Sequence, residues 1–195
     1  MSDFPTKSAL RRDARARRDG FVAGLDPRAA ALAFSTPPGP LRALIDAANT
    51  VAAYLPIASE ADPAALVAFT AERGRQVALP FVESRAVPLR FLAWAPGAPL
   101  VDGPFGLRQP DYATAKEVAP DLILAPLVAF DRRLHRVGQG GGHYDRAFAR
   151  YPDAIRVGVA WNIQEVPFVP DEPWDIALDA VLTEREWIAR DRGTA

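Results

Sequence analysis

The chain has 195 residues and a formal net charge of −1, from 23 basic and 24 acidic side chains. This length fits one domain, and the balanced charge gives no overall attraction to nucleic acid or to an anionic membrane. Because it has no cysteine and only two histidines, disulfides, thiolate ligands and a cysteine nucleophile are excluded, and a zinc site is not expected.

The N-terminal quarter of the chain predicts three helices. Thr6 or Ser8 is a candidate cap for the first helix, which we expect to end near Arg18, before two glycines. Residues 27–34 and 41–48 predict two more helices, and the run TPPGP is expected to break the chain between them.

Strands and helices alternate from residue 50 onward. Residues 50–55 (TVAAYL) predict a buried strand. Asp62, followed by proline, predicts the capped start of a helix over 62–73. Two further strands are expected over 76–82 and 89–94.

The second half of the chain continues this alternation after a loop rich in Pro and Gly over 96–109. Residues 122–128 form the most apolar run and predict a central strand. A helix over 142–151 follows, then a strand over 155–161 and a short late or edge strand over 179–182. We therefore predict an α/β fold whose mostly parallel central sheet carries helices on both faces.

No segment predicts secretion or membrane insertion. The basic start, residues 1–18, lacks the apolar stretch of a signal peptide, and no apolar run reaches the length of a membrane span. We expect a cytoplasmic protein in which residues 1–195 form a single domain. The sequence does not give the oligomeric state, and we favour a monomer.

A glycine-rich segment, RVGQGGGHYDR at residues 136–146, is the strongest functional signal. Glycines cost backbone entropy, but they let main-chain N–H groups converge on a phosphate. The segment opens the predicted helix 142–151, whose N-terminus adds positive potential. Arg136 and Arg146 flank it, and Asp145 is placed to hold a Mg²⁺ ion that bridges phosphates.

A flexible loop with ordinary turn glycines is the alternative interpretation of this segment. A P-loop is excluded because no Gly-Lys-Ser/Thr ends it. A Rossmann fingerprint is excluded because His143 stands where the third glycine is needed, and roughly ten residues separate the strand from the first glycine. The pattern therefore predicts a different phosphate cradle.

Basic residues form one stripe of the first predicted helix: Lys7, Arg11, Arg15 and Arg18. One interpretation is a solvated charged face. The other is that Lys7 and Arg11 reach phosphates or a carboxylated substrate.

The glycine-rich segment resembles the Arg-x-Gly-x-Gly-x-Gly-aromatic-Tyr-Asp signature of the 5-formyltetrahydrofolate cyclo-ligases, also called methenyltetrahydrofolate synthetases. Five other segments resemble the family in order along the chain: KSALR at 7–11, YLPIASEAD at 54–62, GPFGLRQP at 103–110, PDLILAPLVAFD at 120–131 and PWDIALDAVLTE at 173–184. The resemblance therefore covers nearly the whole chain.

The resemblance implies an ATP- and Mg²⁺-dependent conversion of 5-formyltetrahydrofolate to 5,10-methenyltetrahydrofolate, ADP and phosphate. The formyl oxygen attacks the γ-phosphate, and a neighbouring folate nitrogen then closes the ring. Positioning and neutralisation of phosphate charge are expected to supply most of the rate. Two alternatives remain open: a non-catalytic folate-binding relative, and another nucleotide-dependent enzyme on the same fold.

The resemblance also implies residue roles. The catalytic group comprises Arg136, Tyr144 and Asp145. The implied ATP contacts are Lys7, Arg11, Arg136, Gly138, Gln139, Gly140, Gly141, Gly142, His143 and Tyr144. The implied contacts with the reduced folate are Arg11, Leu55, Glu60, Phe105, Gln139, Gly140, Gly141, Gly142 and His143. The implied Mg²⁺ ligands are Asp145 and Asp175.

Four of these positions also have simpler interpretations. Leu55 would then be core, Glu60 would face water, Asp175 would be a turn residue, and Phe105 would anchor its loop.

The chain departs from the family pattern at four positions. Gln139 stands where tyrosine or arginine is common, His143 replaces an aromatic residue, Leu134 stands where glycine is frequent, and Trp174 replaces histidine or asparagine. Because the His143 ring titrates, we expect folate binding to depend on pH near neutrality.

Overall fold

The structure, a computed structural model, describes residues 5–190. Its helices are α1 (Lys7–Ala23), α2 (Pro27–Leu32), α3 (Gly39–Ala47), α4 (Ala64–Glu72) and α5 (His143–Arg150). Its strands are β1 (Thr50–Ala52), β2 (Gln76–Phe81), β3 (Arg90–Ala93), β4 (Val101–Asp102), β5 (Arg108–Gln109), β6 (Leu122–Pro126), β7 (Ala129–Phe130), β8 (Arg136–Val137), β9 (Ile155–Val159), β10 (Ala180–Leu182) and β11 (Trp187–Ala189).

Seven strands form the central sheet, in the order β11-β10-β9-β6-β1-β2-β3. The inner pairs from β10 to β2 are parallel, and only the two outermost pairs are antiparallel. The apolar run 122–128 supplies β6, the middle strand, so its predicted central position is confirmed.

Helices cover both faces of this sheet, as predicted. One face packs against α2, α3 and α4 and the last turns of α1, through side chains such as Leu41, Ile45 and Leu66. The other packs against α5, through Ala147 and Phe148. This two-sided burial explains why the inner strands are almost continuously apolar.

The first helix is longer than predicted. It begins after Thr6, whose side chain accepts from the Ala9 N–H, but it continues past Arg18 to Ala23. The predicted end is wrong because Phe21 and Val22 pack against the core, which offsets the helical cost of Gly20.

Several other boundaries also need correction. The run TPPGP separates α2 from α3, as predicted, but its last two residues already belong to α3, which therefore begins two residues before the predicted start, with proline in its first turn. The loop 96–109 contains the hairpin β4–β5 around a 3₁₀ turn at Pro104–Gly106. The strand at 179–182 is not at the edge, because the unpredicted β11 pairs outside it.

A separate contact fixes the N-terminal end of α1. Leu10 and Ala14 are buried against Val128, Ala129 and Val137, at the small hairpin β7–β8. The glycine-rich segment starts from this hairpin, so α1 and the segment are held side by side. Within residues 5–190 no helix is long and apolar enough to cross a membrane.

Candidate functional site

The order of strands creates a crevice at the carboxyl ends of β1 and β6. The chain leaves β1 toward β2 on one side, and later returns to place β6 on the other side of β1. Ligands of open α/β sheets bind where the strand order reverses in this way. The loop that carries Glu60 follows β1, and the glycine-rich segment follows β6.

The hairpin β7–β8 sets the position of the glycine-rich segment. The Asp131 carboxylate is fully buried at its turn and accepts hydrogen bonds from the main-chain N–H groups of Arg133, His135 and Val169. Leu134 in the same turn has a φ of 67°. This left-handed conformation gives a physical reason why glycine is frequent at the position in the family.

The segment itself requires glycine at two positions. Gly140 and Gly142 have φ values of 105° and 62°, which L side chains rarely adopt. Gly142 is the N-cap of α5, so the backbone turns abruptly from the loop into the helix. A helix start preceded by a tight glycine loop can present N–H groups to an anion.

Arg136 lies beneath this loop and is buried. It donates a hydrogen bond of 2.7 Å to Asp145 Oδ1, and its guanidinium lies 4.9 Å from the centre of the Phe148 ring. Burial lowers the pKa of Arg136 from its usual value, while Asp145, Tyr144 and Asp175 oppose that effect. Its Nε is buried without an acceptor among the residues described, so this donor is left without a hydrogen bond.

The basic stripe of α1 faces the site. Lys7 Nζ forms ion pairs with Asp175 and, at 2.8 Å, with Glu172. Arg11 Nε donates to the Gly138 carbonyl at 2.9 Å, and Arg15 donates to the side chain of Gln139. The solvated-face interpretation is therefore wrong for these residues.

Arg18, the last residue of the stripe, holds α1 to the other loop of the site. It is buried and its Nε donates to Ser59 Oγ at 2.9 Å. The Ser59 carbonyl accepts from Trp161 Nε1 at 3.1 Å. The helix thus contacts both loops that border the crevice.

Glu60 is buried, so the interpretation in which it faces water is wrong. Its Oε1 accepts from Gln139 Nε2 at 2.7 Å and its Oε2 accepts from the Ile57 N–H at 3.1 Å. Burial raises the pKa of Tyr144, and the charge of Glu60 raises it further. Tyr144 therefore remains a neutral hydroxyl beside this carboxylate.

Leu55 and Phe105 occupy different environments. Leu55 is partly buried and packs against the core, as the simpler interpretation predicts. The Phe105 side chain is 56% exposed and has a φ of 62°, so it does not anchor its loop in the core. The Arg85 guanidinium lies 4.9 Å from the centre of its ring.

His143 is partly buried at the first position of α5. Its Nδ1 lies 3.2 Å from Arg146 Nη2. Burial lowers the pKa of His143 from 6.5, and the charges of Arg146 and Arg85 lower it further. Its titration therefore moves further below neutrality than that of an ordinary histidine.

Asp145 and Asp175 fit the chemistry of a Mg²⁺ site. Asp145 pairs with Arg136 at 2.7 Å, and Asp175 pairs with Lys7 and exerts a weaker electrostatic effect on Arg136. In the described part of the chain no group of three or more metal-ligating side chains exists. Mg²⁺ is commonly held by one or two carboxylates together with substrate phosphates, which is the arrangement these two residues allow.

Comparison with known proteins identifies the family. The sequence profile of the 5-formyltetrahydrofolate cyclo-ligase family matches residues 5–184. The chain belongs to this family. The predicted membership is confirmed, and with it the prediction that the chain is a cyclo-ligase enzyme.

Individual relatives agree with this assignment. The 5-formyltetrahydrofolate cyclo-ligase of Escherichia coli K12 is 36% identical, over 70% of this chain and 78% of its own. That of Mycolicibacterium smegmatis is 35% identical, over 72% and 76%. The 5,10-methenyltetrahydrofolate synthetase of Aquifex aeolicus has a similar structure, with a TM-score of 0.75 at 27% identity over 97% of this chain and 95% of its own.

Some residues around the crevice were not predicted. Arg15 and Arg18 belonged to the basic stripe, but nothing in the sequence indicated their partners Gln139 and Ser59. Nothing in the sequence indicated a role for Arg85, because Phe105, which it contacts in space, lies on a different loop.

Proposed function

We propose that this cyclo-ligase converts 5-formyltetrahydrofolate, ATP and Mg²⁺ to 5,10-methenyltetrahydrofolate, ADP and phosphate. The hydrogen bond between Gln139 and Glu60 carries the proposal. It joins the glycine-rich segment, our candidate for the triphosphate site, to the carboxylate we assign to the pterin. One crevice can therefore hold both substrates in contact.

The reaction needs two displacements. The formyl oxygen attacks the γ-phosphorus of ATP and ADP leaves. The neighbouring folate nitrogen then attacks the activated formyl carbon and gives up its proton, and phosphate leaves with the oxygen. Both steps are favoured by holding the reacting atoms together and by neutralising phosphate charge.

Arg136 is the principal phosphate-binding residue in this proposal. Its buried position and free Nε allow it to meet phosphate oxygens at low dielectric, where a charge interaction is strong. Lys7 and Arg11 add charge from α1, and the main-chain N–H groups of 138–144 line the cradle. When bound, Mg²⁺ would neutralise phosphate charge, held by Asp145 and Asp175.

Glu60 is our candidate for orienting the folate. A buried carboxylate can accept hydrogen bonds from the amino edge of a pterin. Its two present partners, Gln139 and the Ile57 N–H, hold it in place. The neutral Tyr144 hydroxyl lies within the influence of the same carboxylate and can donate a hydrogen bond to a substrate oxygen.

A direct assay tests the proposal. Protein, 5-formyltetrahydrofolate, Mg²⁺ and ATP are mixed, and the near-ultraviolet absorbance of the methenyl product is followed. We expect a rise that requires ATP and stops when the metal is chelated. Thermal stabilisation by folate without product would indicate a non-catalytic binder, and no effect of folate would indicate another substrate.

We further propose that the enzyme is a cytoplasmic monomer and that residues 1–195 form one domain.

A further inference from the structure

Arg85 is an exposed arginine without a counter-charge. It follows the carboxyl end of β2, which lies at the same end of the parallel strands as the crevice, and its guanidinium stacks over the Phe105 ring. Among residues 5–190 it has no carboxylate partner and its guanidinium makes no hydrogen bond. Arg73 offers a contrast: it lies 4.8 Å from the Phe69 ring centre but is also paired with Asp46 at 3.2 Å.

Arg146 adds a second uncompensated charge beside it. Its guanidinium donates to the carbonyls of Gly141 at 3.1 Å and Arg85 at 3.0 Å. Its Nε is buried without an acceptor, and it forms no ion pair in the described part of the chain. His143 lies near both arginines: burial lowers its pKa, and the charges of Arg146 and Arg85 lower it further.

Phe105 presents an aromatic ring next to these charges. Its φ of 62° is a conformation that costs a non-glycine residue about 1–2 kcal/mol. A hydrogen bond of 2.7 Å from the Gly103 N–H to the Leu107 carbonyl closes the turn around it. Strained residues of this kind cluster at active sites and ligand-binding sites.

We propose that Phe105, Arg85 and Arg146 form the seat of the aminobenzoyl-glutamate half of the folate. The benzoyl ring contacts Phe105, and the glutamate carboxylates pair with the two guanidinium groups. In the ligand, a benzoyl ring is followed by the glutamate carboxylates. In the protein, the Phe105 ring lies beside two arginines that have no carboxylate partner, and the planar donors of a guanidinium suit carboxylate oxygens. This inference rests on the proposed function, since it takes a reduced folate as the substrate.

The test combines a change in the protein with a change in the ligand. Arg85→Gln is assayed with 5-formyltetrahydrofolate and with an analogue in which an uncharged primary amide replaces the glutamate. We expect the variant to raise KM for the glutamate form roughly tenfold, the scale of one lost charge-assisted hydrogen bond. KM for the amide form, KM for ATP and kcat should stay unchanged.

Arg73→Gln is the matched control, because it removes an exposed, ring-stacked arginine remote from the crevice. It should change neither substrate's KM. Equal effects of Arg85→Gln on the two folates would overturn the inference and indicate a structural role for Arg85. A raised KM for ATP would also overturn it and indicate that Arg85 contacts the phosphates.

The outcome separates this inference from the proposed function. Turnover of the amide form by the unmodified enzyme supports the cyclo-ligase reaction whatever Arg85 does. If neither folate is turned over, the proposed function fails, and the same two ligands are compared by calorimetry. Loss of glutamate-dependent affinity in Arg85→Gln would then still support the seat, and its absence would still refute it.

Discussion

Gln139 Nε2 and Glu60 Oε1 are 2.7 Å apart, and on its other side the Gln139 amide oxygen accepts from Arg15. This orientation satisfies both neighbours, because the cation faces the oxygen and the carboxylate faces the NH₂ group. The side chain thus links α1, the glycine-rich segment and the loop after β1.

The first prediction concerns this link. Gln139→Leu should weaken folate binding and reduce the coupling between nucleotide and folate, because Glu60 loses a donor and the two loops lose their connection. We expect about 1–2 kcal/mol of lost coupling. Calorimetric folate titrations with and without a non-hydrolysable ATP analogue measure it. Gln76→Leu, on an exposed residue at the start of β2, is the control; unchanged coupling in Gln139→Leu would contradict the prediction.

The second prediction concerns Asp145. Asp145→Asn should lower kcat by at least roughly a hundredfold, because it removes a proposed metal ligand. It should lower the free energy of unfolding by only about 1–2 kcal/mol, since the amide oxygen can still accept from Arg136. Steady-state kinetics and urea unfolding separate the two effects. Near-normal turnover would remove Asp145 from the site.

The third prediction concerns His143 and pH. Because its folded pKa lies below the ordinary 6.5, the neutral ring contributes stability that is present above that value and is lost as pH falls through the folded pKa. We therefore expect Tm to be flat above pH 6.5 and to decline below it, rather than to change at neutrality. His143→Phe should remove the part of the decline that this ring causes. Identical acid profiles for variant and parent would refute the role of His143.

The fourth prediction weighs strain against burial at Leu134. Its left-handed φ costs about 1–2 kcal/mol, which glycine would relieve. The side chain is 1% exposed, and its removal costs about 3–5 kcal/mol in lost burial and cavity. Leu134→Gly should therefore lower the free energy of unfolding by about 1–4 kcal/mol, although glycine is frequent there in the family. A variant at least as stable as the parent in urea unfolding would show that strain dominates.

Local signals predicted much of this fold. The apolar run 122–128 and the glycines of 136–146 indicated the middle strand and the start of α5, because composition and spacing determine both directly. The three residues of β11 are too few to show a period, so that strand was missed. The end of α1 was misplaced because the packing of Phe21 and Val22 is a tertiary effect.

The partners of site residues were less predictable than the residues themselves. Glu60 and Gln139 were each identified from family resemblance, but their contact spans 79 positions and depends on strand order. Arg18 and Ser59 are 41 positions apart and meet only because α1 crosses the loop after β1. Single-sequence patterns carry no information about such separations.

The position of α1 has a practical consequence for handling this enzyme. Its first residue, Lys7, already pairs with Asp175, so a purification tag placed ahead of the helix would emerge beside the catalytic crevice. Recombinant versions that carry an affinity handle at the opposite terminus are the better starting point for kinetics and ligand soaks.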